Sequence, residues 1–177
     1  MEEKVNPWKA NLTNGLILGL VGIMYSLVMY FMDLTLNPTQ GYIFVLVQIG
    51  LLFFLLKSYR DNSMHGQITY GQAVGAGVII ILYYSVISSI FSYVLFTVID
   101  PGLVAKQMAV TEQGMADKGL TQEQIDAGLA FSAKLMKPAI MSIWGFVISM
   151  IWGTIISLLI SIFIRKEGNP LIETPQN

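Results

Sequence analysis

The sequence is short of charge and contains no cysteine. Only 12% of its 177 residues are charged, about half of the roughly 25% found in an average soluble domain. The absence of cysteine excludes disulfide bonds, thiolate zinc sites, iron–sulfur clusters and cysteine nucleophiles. A single histidine excludes a multi-histidine metal site, and a net charge of −1 provides no basic surface for nucleic acid. We therefore expect no nucleic-acid partner.

Long apolar stretches dominate the chain instead. The hydrophobic fraction is 54% and the mean hydropathy is +0.64. A helix needs about 20 apolar residues to cross a bilayer; three stretches are long enough, and a fourth is short and must recruit its flanks or lie in a thinned bilayer. The sequence predicts an all-α, polytopic membrane protein. It forms a single membrane domain, 1–177, with transmembrane helices at 11–32, 42–57, 72–99 and 139–164.

Lysine and arginine in the short flanks predict the orientation, because cytoplasmic loops are enriched in these residues. Basic residues precede the first span and follow the second and the fourth, whereas the loop 33–41 contains none. Both termini are therefore predicted to be cytoplasmic. The basic residues that set this orientation are Lys4, Lys9, Lys57, Arg60, Arg165 and Lys166.

The segment 100–138 between the third and fourth spans is too long for a simple turn. It predicts two amphipathic helices outside the membrane, on the bilayer surface or folded over the bundle. Asp100 and Pro101 are typical of a helix N-cap followed by proline at the first helical position. Thr121 is expected to open a capping box with Gln124. The two helices either connect the spans or act as a lid or docking surface, and we favour the connection.

Small residues recur every three or four positions in the spans, and such rows let helices approach closely in lipid. They either pack the helices of one chain together, which we favour, or leave one row, on the fourth span, for a second copy or another membrane protein. Gly71 and Gly75 are likewise expected to admit a neighbour where the third span begins. The predicted packing residues are Gly15, Gly19 and Gly22 in the first span and Gly145, Ser149, Gly153 and Ser157 in the fourth.

The four apolar cores contain no Asp, Glu, Lys, Arg or His. Ionisable residues inside a membrane mark proton relays and ion pathways, so a proton-coupled transporter or an ion pump is not expected. Motifs for metal-dependent hydrolysis, a serine nucleophile or phosphate binding are also missing. Asp33 and Asp100, at the outer ends of two spans, are a weak case for an intramembrane enzyme. We predict no catalytic residues, no metal and no cofactor.

Two stretches resemble a known family. The first contains Tyr59-Arg60-Asp61, Gly66, Ile68-Thr69-Tyr70-Gly71-Gln72-Ala73 and Gly75, and the second is Ile99-Asp100-Pro101. They resemble the uncharacterised bacterial four-helix membrane family known as domain of unknown function 4199. The resemblance implies four spans with an outer insertion between the third and fourth, in a bacterial cytoplasmic (inner) membrane. It assigns no activity, and it implies a genetic association with polyprenyl-phosphate glycosyltransferases.

Three functional hypotheses follow from these features. The leading one is a non-enzymatic integral membrane protein that associates with other membrane components: the lipid bilayer, a second copy of the chain or a different membrane protein. An alternative is the binding or handling of a polyprenyl-phosphate or other anionic lipid as accessory to a membrane glycosyltransferase, with Lys57, Arg60 and Lys166 as headgroup contacts. A small-solute transporter is a further alternative, for which the sequence identifies no pathway.

Overall fold

The computed structural model describes residues 5–167 and shows a helical membrane protein. Four helices are long and apolar enough to cross a membrane: α1, α2, α3 with the π-helical turn that follows it, and α6. The predicted all-α fold with four spanning helices is confirmed. The elements are α1 (Pro7–Phe31), α2 (Pro38–Ser63), α3 (Tyr70–Val94), the π-helical turn (Leu95–Ile99), α4 (Gly102–Asp117), α5 (Gln122–Leu135) and α6 (Pro138–Ile164).

The second span is longer than the sequence predicted. Its predicted bounds were 42–57, whereas α2 has 26 residues and runs from Pro38 to Ser63. Asn37 caps its start, since the Asn37 side chain accepts the Thr39 N–H at 2.9 Å, and proline at the first position is preorganised for a helix. The helix continues past Lys57 because that side chain is exposed and charge at a membrane surface can stay solvated. The predicted recruitment of flanking residues is therefore observed, because α2 extends beyond 42–57 at both ends.

Reciprocal capping boxes fix the starts of α3 and α5. The hydroxyl of Thr69 accepts the backbone N–H of Gln72, and the Gln72 side chain accepts the backbone N–H of Thr69. Thr121 and Gln124 form the same pair of bonds at the start of α5. The predicted box at Thr121 is therefore present, and a second box begins the third span.

The third span ends in a π-helical turn that the sequence did not predict. Residues Leu95–Ile99 form this turn, and the backbone N–H of Asp100 donates to the carbonyl of Leu95 at 2.9 Å. The Asp100 carboxylate then accepts the N–H of Gly102 at 3.0 Å. Asp100 thus binds the first N–H of the next helix, but α4 begins at Gly102, so its N-cap is Pro101 and the predicted start was one residue too early.

Helix α3 is the centre of the bundle. It packs most extensively against α6 and α1 and also contacts α2, which in turn contacts α1 and α6. The four spanning helices alternate in direction along the chain. Residues 5 and 167 therefore lie at one end of the bundle and the α4–α5 hairpin at the other. We call the half of each spanning helix that is nearer to residues 5 and 167 the terminal half, and the half that is nearer to the α4–α5 hairpin the hairpin half.

The buried core lies in the terminal half. In the hairpin half of the described spans, the buried residues are Gln48, Tyr84, Ser85, Leu95 and Ser142. The remaining buried residues of the spans fall within 11–19 of α1, 52–59 of α2, 73–81 of α3 and 153–164 of α6. Most buried residues of the described spans thus lie in the terminal half.

Helices α4 and α5 form a hairpin beyond the spans. They pack on each other, and α4 also contacts the π-helical turn. Met115 of α4 lies against Gly128 of α5, while Leu103 and Ile125 are buried. Phe131 remains 63% exposed. The hairpin therefore has contacts of its own and an outer surface that is partly apolar.

Candidate functional site

Three chain segments meet at the terminal end of the bundle: the end of α2, the connection to α3 and the residues after α6. Ile68 and Lys166 pair through two backbone hydrogen bonds, each with an N···O distance of 2.9 Å. The Arg60 guanidinium donates to the carbonyl of Ile164 at 3.2 Å. These bonds fasten the end of α6 to the connection between α2 and α3.

The predicted headgroup contacts Lys57, Arg60 and Lys166 come together around Asp61. Arg60 donates to the Asp61 carboxylate at 2.7 Å, and both lysines are close enough to interact with it electrostatically. Arg60 is also bound to the Ile164 carbonyl, and its side chain is only 16% exposed. Arg60 therefore holds the end of α2 to α6, and the headgroup contact of Arg60 and the two lysines remains a prediction.

The glycines of α1 let it approach the central helix closely. A methyl group placed on Gly19 would come within 2.7 Å of the Ile87 side chain, well inside the contact distance of about 3.5–4.0 Å between carbon atoms. Each glycine of the row faces a large side chain of α3: Gly15 faces Tyr83, Gly19 faces Ile87 and Gly22 faces Tyr84. All three predicted packing residues of the first span therefore lie at contacts within the chain.

The small-residue row of α6 divides into a covered part and an open part. In the terminal half, Gly153 lies against Ile81 and Ser157 lies against Gly77. The Ser157 hydroxyl also donates to the carbonyl of Val74 at 3.2 Å. This part of the row packs α6 onto α3, as expected for contacts within one chain.

The open part of the row lies in the hairpin half. A methyl group on Gly145 would meet no atom within 4 Å, and Ser149, one turn further, is partly exposed. The neighbouring Trp144 is 54% exposed and Ile148 is 50% exposed. Packing within the chain thus leaves Gly145 and its surroundings uncovered.

Gly71 and Gly75 contact no neighbouring helix among residues 5–167, so the close neighbour expected there stays a prediction. A methyl group on either would meet nothing within 4 Å. The close contact is at Gly77, which packs against Ser157 of α6. Two residues correspond to about 200° around a helix, so Gly75 points away from the side on which Gly77 meets α6.

A cavity of about 850 Å³ opens at the terminal end between α1, α2 and α3. Its volume falls within the range of about 300–1,000 Å³ that is typical of ligand sites. Gly75 lines it without filling it. The polar lining comes from Tyr59, Ser63, His65 and Gln72, and the apolar wall includes Ala76 and Ile79.

A smaller cavity of about 190 Å³ lies between the same three helices in the hairpin half. Three of its aromatic rings are neighbours, with centroids 5.0 Å apart for Tyr25 and Phe44 and 6.0 Å apart for Phe44 and Tyr84. The Tyr25 hydroxyl donates to the Gln40 carbonyl at 2.6 Å, and Ser88 adds a further hydroxyl. This neutral, polar lining is suited to ordered water or a small uncharged group.

Comparison with known families places the whole bundle in one of them. Residues 13–166 match the sequence model of a family described as "Protein of unknown function (DUF4199)". The chain belongs to the DUF4199 family. The resemblance carried by the stretch around Arg60 and by Ile99-Asp100-Pro101 is thereby confirmed. No curated protein and no solved structure matches the chain.

The DUF4199 protein also has a buried amide that the sequence analysis did not single out. Asn11 is fully buried; its amide nitrogen donates to the Pro7 carbonyl at 3.0 Å, and its amide oxygen accepts from Asn14 at 3.1 Å. The Asn11 amide also lies next to the Tyr59 hydroxyl. The contact between Asn11 of α1 and Tyr59 of α2 could have been suspected from the sequence, because two asparagines three residues apart stand at the start of the first span.

The acidic residues considered for catalysis in this DUF4199 protein lie where the chain changes direction. The Asp100 carboxylate binds the Gly102 N–H and lies 3.8 Å from the ammonium group of Lys106. Asp33 is exposed in the turn after α1, with a φ of 57°. Within residues 5–167, no group of three or more His, Asp or Glu side chains is arranged to hold a metal ion.

Proposed function

We propose that this multi-pass membrane protein is non-enzymatic and acts by associating with other membrane components through the hairpin half of its bundle. The observation that carries the proposal is the difference between the two halves. The terminal half contains most of the buried residues, among them Leu18, Leu56 and Ile80, which are fully buried. The hairpin half has few buried residues and leaves a small-residue surface on α6 uncovered.

The uncovered surface has the composition of a helix–helix contact in lipid. Lipid provides no hydrophobic drive between helices, so close backbone approach at small residues is a main source of association. Gly145 provides this approach, and the exposed Trp144 and Ile148 lie beside it. Tryptophan is enriched among residues that dominate association energies. A partner helix at Gly145 would bury all three residues.

The α4–α5 hairpin adjoins the same surface. Helix α5 ends at Leu135 and α6 begins at Pro138, so the hairpin is directly connected to the uncovered part of α6. Phe131 and Leu135 are exposed on α5. A partner at Gly145 would therefore lie next to the hairpin, which can extend the contact beyond the membrane.

The proposed setting is the bacterial inner membrane, with the terminal end in the cytoplasm. Lys57, Arg165 and Lys166 are exposed at the terminal end, and an excess of Lys and Arg is typical of the cytoplasmic side. The hairpin half then lies towards the outside of the cell, and the proposed partner contacts the protein on that side of the membrane.

Site-directed crosslinking tests the proposed association, because the chain contains no cysteine and single-cysteine variants carry one reactive group. In native membranes, Gly145→Cys is expected to give a crosslinked species of higher mass, as a dimer or with another membrane protein. The control is Leu159→Cys, on the same helix in the terminal half, where Leu159 is 58% exposed. It is expected to remain monomeric.

Two results would contradict the proposal. The first is a monomer for both variants at crosslinker concentrations that modify both thiols fully. The second is equal crosslinking at both positions, which would show random collision in the membrane instead of a defined surface.

A further inference from the structure

We propose that the cavity of about 850 Å³ at the terminal end binds the acyl chain of a membrane lipid, with the polar head of the lipid at the cavity mouth. This site lies in the half of the bundle opposite to the association surface around Gly145. The inference therefore goes beyond the proposed function and does not depend on it.

The position of the cavity along the bundle fits an amphipathic molecule. Gln72, in the first turn of α3, and Ile79 both line it. These residues are seven positions apart, which is about 10 Å at about 1.5 Å per residue. The cavity thus runs from the end of the span into the part of the bundle that lies in hydrocarbon. The side chains of Ala76 and Ile79 in its inner part offer no hydrogen-bond partner for water, so an apolar chain fits beside them better.

The mouth of the cavity carries hydrogen-bond donors. The oxygen of the Gln72 side chain is occupied by the Thr69 N–H at 3.0 Å, which leaves the amide N–H groups of Gln72 to donate to a ligand. Ser63 and His65 add further donors. Among the described residues that line the cavity there is no carboxylate. This set fits the acceptor oxygens of a lipid phosphate or ester group.

The backbone at the mouth is held in an uncommon conformation. His65 has a φ of 52° and Gly66 a φ of 79°, and the left-handed region is uncommon for residues other than glycine. The Gly66 N–H donates to the Arg60 carbonyl at 2.9 Å. The end of α2 is thereby closed by a defined turn that places His65 at the cavity.

Gly75 provides a way to fill the cavity without disturbing the packing of helices. A methyl group on Gly75 meets nothing within 4 Å, although the residue lines the cavity. Gly71, on the same helix, is equally open but is not among the lining residues. The pair Gly75→Leu and Gly71→Leu therefore compares the same substitution inside and outside the site.

Native mass spectrometry of the purified full chain with oleoyl lysophosphatidylglycerol tests the proposal. Wild type and Gly71→Leu are expected to retain the lipid, and Gly75→Leu to bind it about tenfold more weakly with a melting temperature close to that of Gly71→Leu. Equal retention by the two variants would overturn the proposal. Glycerol phosphate, which lacks the acyl chain, is not expected to compete; effective competition would assign binding to the head alone and also overturn it.

A measurement on the wild type covers the case in which Gly75→Leu fails to fold. The same lysolipid with a photoreactive group in its acyl chain is expected to label peptides that contain Ala76 or Ile79. Labelling confined to other parts of the bundle would contradict an acyl chain in this cavity. Failure of this proposal leaves the crosslinking result at Gly145 unchanged, and the reverse also holds.

Discussion

Gly77→Leu is expected to lower the free energy of unfolding by about 3 kcal/mol or more, at the upper end of the range for overpacked cores. A methyl group on Gly77 would already lie 2.9 Å from the Ser157 Cβ and 3.4 Å from a methyl carbon of Leu56. Because the contact between α3 and α6 is the most extensive in the bundle, leucine must push α6 away from the central helix. Reversible unfolding in mixed micelles, followed by circular dichroism, measures the loss.

Gly71→Leu is the matched control for this experiment. It introduces the same side chain on the same helix, at a position where a methyl group meets nothing within 4 Å. Substitutions at such open positions usually change stability by no more than about 0.5 kcal/mol. Equal losses for the two variants would show that the tight contact between Gly77 and α6 does not hold the bundle together.

Leu56→Ala is expected to cost about 2–5 kcal/mol, the usual range for removal of a buried leucine side chain. Leu56 is 0% exposed and belongs to the main cluster of buried residues. The substitution leaves a void where α2 meets the central helix, and the tight terminal half can close it only in part. The same unfolding experiment measures the loss.

Phe54→Ala on the same helix serves as the control, because Phe54 is 66% exposed and faces the surroundings of the bundle. Its loss is expected to stay below about 1 kcal/mol, since little packing within the protein is removed. A larger loss for Phe54→Ala than for Leu56→Ala would mean that α2 is turned the other way in the bundle.

The spanning helices could be predicted because hydrocarbon thickness and the cost of charge constrain a span more strongly than local propensity does. The end of the second span could not be predicted by the same rule. The predicted span ends at residue 57, where the first basic side chain follows the apolar stretch, yet α2 continues to Ser63. Charge ends the part of a helix that lies in hydrocarbon, whereas the helix itself ends where its capping turn forms, here at His65 and Gly66.

The spacing of small residues on α6 is the same at Gly145, which is open, and at Gly153, which is tightly packed. Sequence spacing shows that a helix can be approached closely, but the crossing of the helices decides where a neighbour makes that approach.

The structural role of Arg60 could not be predicted from the sequence either. Its partner is the backbone carbonyl of Ile164, 104 residues away, and a backbone carbonyl has no signature in the sequence.

The cavity at the terminal end was not predictable from any motif. It is formed by the start of α1, the end of α2 and the start of α3, and its lining residues have no spacing in common. Only the arrangement of the three helices brings Tyr59, His65 and Gln72 to one opening.

The most direct test of the arrangement is the side of the membrane on which each end of the bundle lies. In the cysteine-free background, Asn62→Cys and Glu167→Cys report on the terminal end and Glu123→Cys on the hairpin, and all three native residues are exposed. With a membrane-impermeant maleimide on sealed, right-side-out vesicles, we expect Glu123→Cys to be labelled and the other two to react only after permeabilisation. Labelling of Asn62→Cys and Glu123→Cys from the same side would contradict the four-span bundle.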